Sequence, residues 1–126
     1  MRMNKRERKI RLTKTDKESL QSAKELISKN LSKRMTITDM AAQAGMNRSK
    51  LTAAFKNFYG KSIYHFILDV RMQNAKQLLL EDDLPIKTIA KLCGYSNIQS
   101  FSKVFKKYWG EAPAQFQKNI KNKEHD

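Results

Sequence analysis

A single cysteine, Cys93, stands in 126 residues, so no internal disulfide can form. Histidine is nearly as scarce. Only His65 and His125 occur, so no Cys/His set of zinc-finger spacing exists and no metal site is expected. No run of the chain approaches ~18 apolar residues, which excludes a membrane-spanning helix. The first fifteen residues, MRMNKRERKIRLTKT, lack the apolar core of a secretory signal. A reducing cytoplasm is therefore the expected compartment. The chain also lacks a nucleophile with a base beside it, an acidic cluster and a glycine-rich phosphate loop, so neither an enzyme nor a cofactor is expected.

Acidic residues are few. Twelve Asp and Glu stand against 26 Lys and Arg, giving a net charge of +14. A balance this basic points to an anionic partner, nucleic acid before acidic membrane. The length is that of one ordinary domain and predicts one small core. Only two prolines and four glycines interrupt the chain. Strand-type alternation is missing, and apolar residues recur at three and four, the period of amphipathic helices. The expected fold is all-α, with about seven helices.

Residues 1–14 read as a basic arm, either an electrostatic aid to binding or a linker remnant. Thr15-x-x-Glu18 reads as a capping box opening a helix with Leu20, Ala23, Leu26 and Ile27 inward. Thr36-x-x-Asp39 opens a second helix ending near Gly45, and a third runs from about Asn47 to Tyr59. Ser62 caps a long fourth, to about Glu81, with Ile63, Phe66, Ile67, Val70, Ala75, Leu78 and Leu79 on its buried stripe. Pro85 stands at the first position of a fifth that ends near Gly94. Ser96 caps a sixth, to about Trp109. A short seventh follows Pro113, and residues 118–126 form a polar tail.

The glycines expose an internal repeat. Ile37, Met40, Ala41 and Gly45 return 49 residues later as Ile86, Ile89, Ala90 and Gly94. Leu51, Phe55, Lys56, Phe58 and Gly60 return 50 residues later as Phe101, Phe105, Lys106, Tyr108 and Gly110, so one residue has been added in the second turn. Each copy has helix-turn-helix spacing: a small Ala for close packing, a Gly that ends the first helix at positive φ, then an apolar anchor for the second. One copy alone is as readily a generic helical hairpin. Two copies in a strongly basic chain favour DNA.

A turn of about 100° per residue assigns the faces. Leu51, Ala54, Phe55 and Phe58 should be buried on the third helix, leaving Ser49, Thr52, Ala53 and Lys56 outward. Phe101, Val104, Phe105 and Tyr108 should be buried on the sixth, leaving Gln99, Ser102, Lys103 and Lys106 outward. Gln99 suits adenine and Lys103 suits guanine in the major groove. Gln99 has a second reading, as partner of Ser96 in a capping box. Ser49 and Thr52 offer hydroxyls, and Ala53 a methyl for thymine. Arg48, Lys50, Lys56, Lys61, Asn97, Lys106 and Lys107 are the candidate phosphate contacts. Cys93 reads as a packed core thiol, His65 as a surface residue, and Tyr108 and Trp109 as core.

The stretch Pro85-Ile86, Ile89-Ala90, Cys93-Gly94-Tyr95, Ser100-Phe101-Ser102-Lys103, Phe105-Lys106-Lys107, Gly110 and Pro113 resembles the AraC/XylS family of bacterial transcription regulators. The first repeat and Arg71-Met72-x-x-Ala75-x-x-Leu78-Leu79 resemble it too, so the likeness covers about residues 16–117. It implies two homeodomain-like helix-turn-helix subdomains (about 15–60 and 85–117) joined by a long linker helix (about 62–81). It further implies recognition helices in successive major grooves, with Ser49, Thr52 and Ala53 reading in one and Ile98, Gln99 and Lys103 in the other. Large or charged readers are common in the family where Ser49 and Ala53 stand, and Tyr-Arg where Phe116-Gln117 stands. The first half loosely resembles the siderophore-responsive branch, like the pyochelin regulator. Most members carry a sensing domain ahead of this module, so the chain reads either as a free-standing regulator or as part of a longer one. The resulting expectation is a sequence-specific transcription regulator, an activator more than a repressor. Its partners are double-stranded DNA and RNA polymerase, no membrane is involved, and the isolated domain is monomeric. The competing function is a nonspecific nucleic-acid binder, which shares the charge but needs no matched reading helices.

Overall fold

The computed structural model describes residues 11–32, 35–81 and 83–124. Among them stand seven helices and no strand: α1 (Lys14–Lys29), α2 (Ile37–Ala44), α3 (Arg48–Tyr59), α4 (Ile63–Glu81), α5 (Ile86–Leu92), α6 (Ile98–Trp109) and α7 (Pro113–Glu124). The all-helical expectation holds. Most of the basic arm expected over residues 1–14 lies outside the described residues.

The expected single core is two. The chain divides within α4, between Ile67 and Leu68, and Asn30 and Leu31 go with the second unit. The first core gathers Leu20, Ala23 and Ile27 from α1, Ile37, Met40, Ala41 and Ala44 from α2, Leu51, Ala54 and Phe55 from α3, and Ile63 from α4. The second gathers Met72, Ala75 and Leu79 from α4, Ile89 and Ala90 from α5, Cys93, and Phe101 and Phe105 from α6. Length suggested one core because neither half alone offers many apolar residues. Each helix-turn-helix pair nevertheless closes a core of its own by borrowing part of α4. The stripe expected on α4 omitted Met72, which is fully buried, and included Val70, which is only partly buried. Met72 stands three and seven residues before Ala75 and Leu79, on the same stripe, and packs with them in the second core.

Helix starts follow local hydrogen bonding, and three differ from expectation. At α1 the capping box is Thr13 with Asp16, not Thr15 with Glu18. The Thr13 amide donates to Asp16 Oδ2 at 3.1 Å and the Asp16 amide to Thr13 Oγ1 at 3.0 Å. Asp16 also reaches Lys50 of α3 at 3.0 Å, a tertiary partner that decides between two locally equivalent boxes. At α6 the cap is Asn97, whose Oδ1 accepts the Ser100 amide at 2.8 Å, not Ser96. Thr36 with Asp39 and Ser62 cap α2 and α4 as expected. Pro85 stands just before α5 as its N-cap, one position earlier than expected, and its carbonyl accepts the Ile89 amide at 3.1 Å. α7 runs on through residues 118–124, where a polar tail was expected; those residues, Ile120 apart, are polar but helical.

Candidate nucleic-acid interface

The sequence repeat is also a repeat of hydrogen bonds. Met46 N donates to Ala41 O at 2.9 Å, and Tyr95 N to Ala90 O at 2.9 Å, after glycines at φ 73° and 94°. Gly60 N donates to Lys56 O at 2.9 Å, and Gly110 N to Lys106 O at 2.8 Å. Asn47 caps α3 through the Lys50 amide at 2.8 Å, as Asn97 caps α6. The 49-residue shift therefore holds through Tyr95 and the 50-residue shift begins at Asn97, so the added residue is Ser96. That insertion is why the sixth-helix cap lies one residue later than the sequence suggested.

On α3, Ser49, Ala53 and Lys56 are exposed, and Ser49 and Ala53 stand one turn apart on one face. Thr52 is half-buried and its hydroxyl donates to Arg48 O at 2.9 Å, which leaves the oxygen lone pairs and the methyl for a partner. Arg48 is exposed and donates to Tyr64 Oη at 3.3 Å, a contact that spacing did not suggest. Lys50 is committed to Asp16. The Thr13 amide and then the Lys50 ammonium hold the Asp16 carboxyl below its ordinary range. Phe58, expected inside, is 47% exposed. Tyr59 takes the inward place, with its ring 4.7 Å from Phe55 and the Lys24 ammonium 4.9 Å above it. Lys61 is exposed just beyond Gly60.

On α6, Gln99, Lys103, Lys106 and Lys107 are exposed, Ser102 is half-buried, and Ile98 keeps 38% of its surface. Because Asn97 is the cap, Gln99 is not folded back in a capping box with Ser96, and the competing reading of that side chain falls. Gln99 and Lys103 stand one turn apart on the outward face. Behind them Phe101 and Phe105 are fully buried, with rings 5.8 Å apart, and Phe116 of α7 lies 5.7 Å from Phe105. Trp109 Nε1 donates to Met72 O at 3.1 Å, and Tyr108 donates to Asp69 Oδ1 at 2.8 Å, so both rings are held inward as expected. Cys93 is fully buried, and burial pushes its thiol up to about 11. It is a packing residue, as the sequence suggested. His65 is exposed. Lys87 and Lys91 of α5 line an open pocket with Ser96, Asn97, Ile98 and Gln99. The sequence reading passed over both lysines because it confined the search to recognition helices and their flanks.

Residues 40–119 match the model of a helix-turn-helix domain. The chain belongs to the AraC-type helix-turn-helix family. It is 34% identical over 99 residues to the Msm operon regulatory protein of Streptococcus mutans, covering 79% of this chain and 36% of that protein. It is 31% identical over 109 residues to the lactose operon transcription activator of Staphylococcus xylosus, covering 85% of this chain and 39% of that protein. Among solved structures, it resembles the C-terminal domain of AraT, a response regulator from Geobacillus stearothermophilus. The TM-score is 0.78 at 31% identity, covering 87% of this chain and 88% of that one. The chain thus spans less than half the length of these two operon regulators. The relatives are regulators, not enzymes. They do not support the narrower likeness to the siderophore-responsive branch.

Proposed function

We propose that this chain is the DNA-binding part of a transcription regulator, which inserts α3 and α6 into successive major grooves and reads sequence with both. The carrying observation is the duplicated turn: two glycine-stopped helix pairs with one hydrogen-bond pattern, each presenting an exposed polar face on its second helix. Ser49, Thr52 and Ala53 would read in the first unit, and Ile98, Gln99, Ser102 and Lys103 in the second. Arg48, Lys56, Lys61, Lys106 and Lys107 would hold phosphate. Asn97 would do so through its side-chain amide, which otherwise donates to Ser96 Oγ at 3.5 Å, and Lys50 only by leaving Asp16. The head of α6 is the stronger reader on chemical grounds, since Gln99 and Lys103 each make directional contacts to purines.

We further propose activation through recruitment of RNA polymerase, by a domain that binds as a monomer at the nucleoid. The naming of one relative as an activator supports the direction. Selection of binding sites from random duplex DNA tests the reading. One preferred asymmetric site is expected. Gln99→Ala and Lys103→Ala should each weaken binding there by about 1–3 kcal/mol and relax preference at one position. Equal affinity for every sequence would instead support a nonspecific nucleic-acid binder. Transcription in vitro with and without the full-length regulator tests the direction.

A further inference from the structure

We propose that Lys87 and Lys91 of α5 form a phosphate-anchoring site, which makes the second helix-turn-helix unit the principal grip of this protein on the backbone of duplex DNA. The inference rests on the DNA-binding reading above and assigns affinity to residues outside both recognition helices. Lys87 and Lys91 stand four apart on a helix, hence on one face. Both are exposed and both line the pocket at the start of α6. Neither makes an ion pair with any described residue. At the same pocket the Asn97 carboxamide is occupied, its Oδ1 accepting the Ser100 amide at 2.8 Å and its Nδ2 donating to Ser96 Oγ at 3.5 Å. The Ile98 and Gln99 amides belong to the first turn, which has no intrahelical acceptor. Two lysines and two first-turn residues of α6 thus border one open depression, a donor set suited to a phosphodiester oxygen.

The repeat supplies an internal comparison. Shifted back by 49, Lys87 and Lys91 become Thr38 and Ala42, both exposed and neither charged. The first unit also carries Asp39 where the second has Thr88, and its Lys50 is paired with Asp16. From Thr36 to Gly60 the basic residues are Arg48, Lys50 and Lys56; from Pro85 to Gly110 they are Lys87, Lys91, Lys103, Lys106 and Lys107, with no acid among them. The two heads are therefore unequal in a way that their matched backbones conceal.

The test is a salt titration of the full chain on a random-sequence duplex of about 30 base pairs and on the selected site. Lys87→Gln with Lys91→Gln should lower affinity for both duplexes by the same factor. It should also reduce the slope of log affinity against log salt by about two units, at about 0.9 per phosphate. Lys87→Arg with Lys91→Arg should restore the slope, and Thr38→Gln with Ala42→Gln should leave it unchanged. Both lysines are exposed, and an unaltered helical spectrum checks that the variants fold. A wild-type chain with normal salt dependence, beside a glutamine variant with the same slope, would overturn the anchor while leaving the DNA-binding reading intact. A loss confined to the selected site would also overturn it. A wild-type chain that binds no duplex would sink that reading and the anchor with it.

Discussion

Two glycines with one sequence role differ in what holds them there. Gly45 and Gly94 both end the first helix of a unit at positive φ, and at Gly45 a Cβ would meet nothing within 4 Å. At Gly94 it would lie 2.3 Å from Leu31 O and 3.0 Å from Arg71 Nε. Gly45→Ala should therefore cost only the left-handed strain, about 1–2 kcal/mol. Gly94→Ala carries the same strain and must also push aside backbone at Leu31, so its midpoint in thermal denaturation should fall clearly further. Equal losses in the two variants would mean that the Leu31 contact relaxes freely.

At the scale of the helix, caps and cross-helix pairs decide the outcome. Asn97 and Ser96 are both good capping residues, but only Asn97 holds the first turn of α6. Asn97→Ala should destabilise by about 1 kcal/mol, and Ser96→Ala by little. Denaturant midpoints compare them; the reverse order would place the cap at Ser96. Asp16 ties the start of α1 to Lys50 on α3. Its pKa is lowered in the folded state, so the stability it adds is present above the ordinary value of 3.8 and is lost as pH falls through the lower folded value. Asp16→Asn should reduce stability at neutral pH and lose less on acidification, so the two proteins converge in strong acid. Parallel curves down to that range would show that the carboxylate is not linked to folding.

At the scale of the molecule, α4 is the element shared by both cores. Its residues Ile63, Phe66 and Ile67 pack in the first, and Met72, Ala75 and Leu79 in the second. Nineteen residues at a 1.5 Å rise make it about 28 Å long. On the proposed function the two heads enter successive major grooves, so the half-sites lie about 10 bp apart. Inserting about 5 bp between them should abolish tight binding, because half a turn carries one groove to the far side of the duplex. Unchanged affinity on the shifted site would mean flexibly joined heads or a single reading head.

Much of this protein is legible without coordinates. The seven helices, the glycine stops, the duplicated turn and the outward placement of Gln99 and Lys103 follow from periodicity and local stereochemistry. Those signals lie within a few residues of the feature they specify. The choices left to tertiary structure are those in which two local solutions are nearly equal. Thr13 and Thr15 each open a sound capping box, and the Asp16–Lys50 pair, 34 residues apart, selects between them. Phe58 and Tyr59 are both large and apolar enough for the core, and Phe55 with Lys24 gives the inner place to Tyr59. Gly94 is confined by Leu31, 63 positions earlier in the chain. The sequence by itself determined what each helix is and, wherever a glycine ends it, where it stops. Packing between segments distant in the chain decided which of the competing side chains cap, pair and face inward, because those energies arise only once the segments meet.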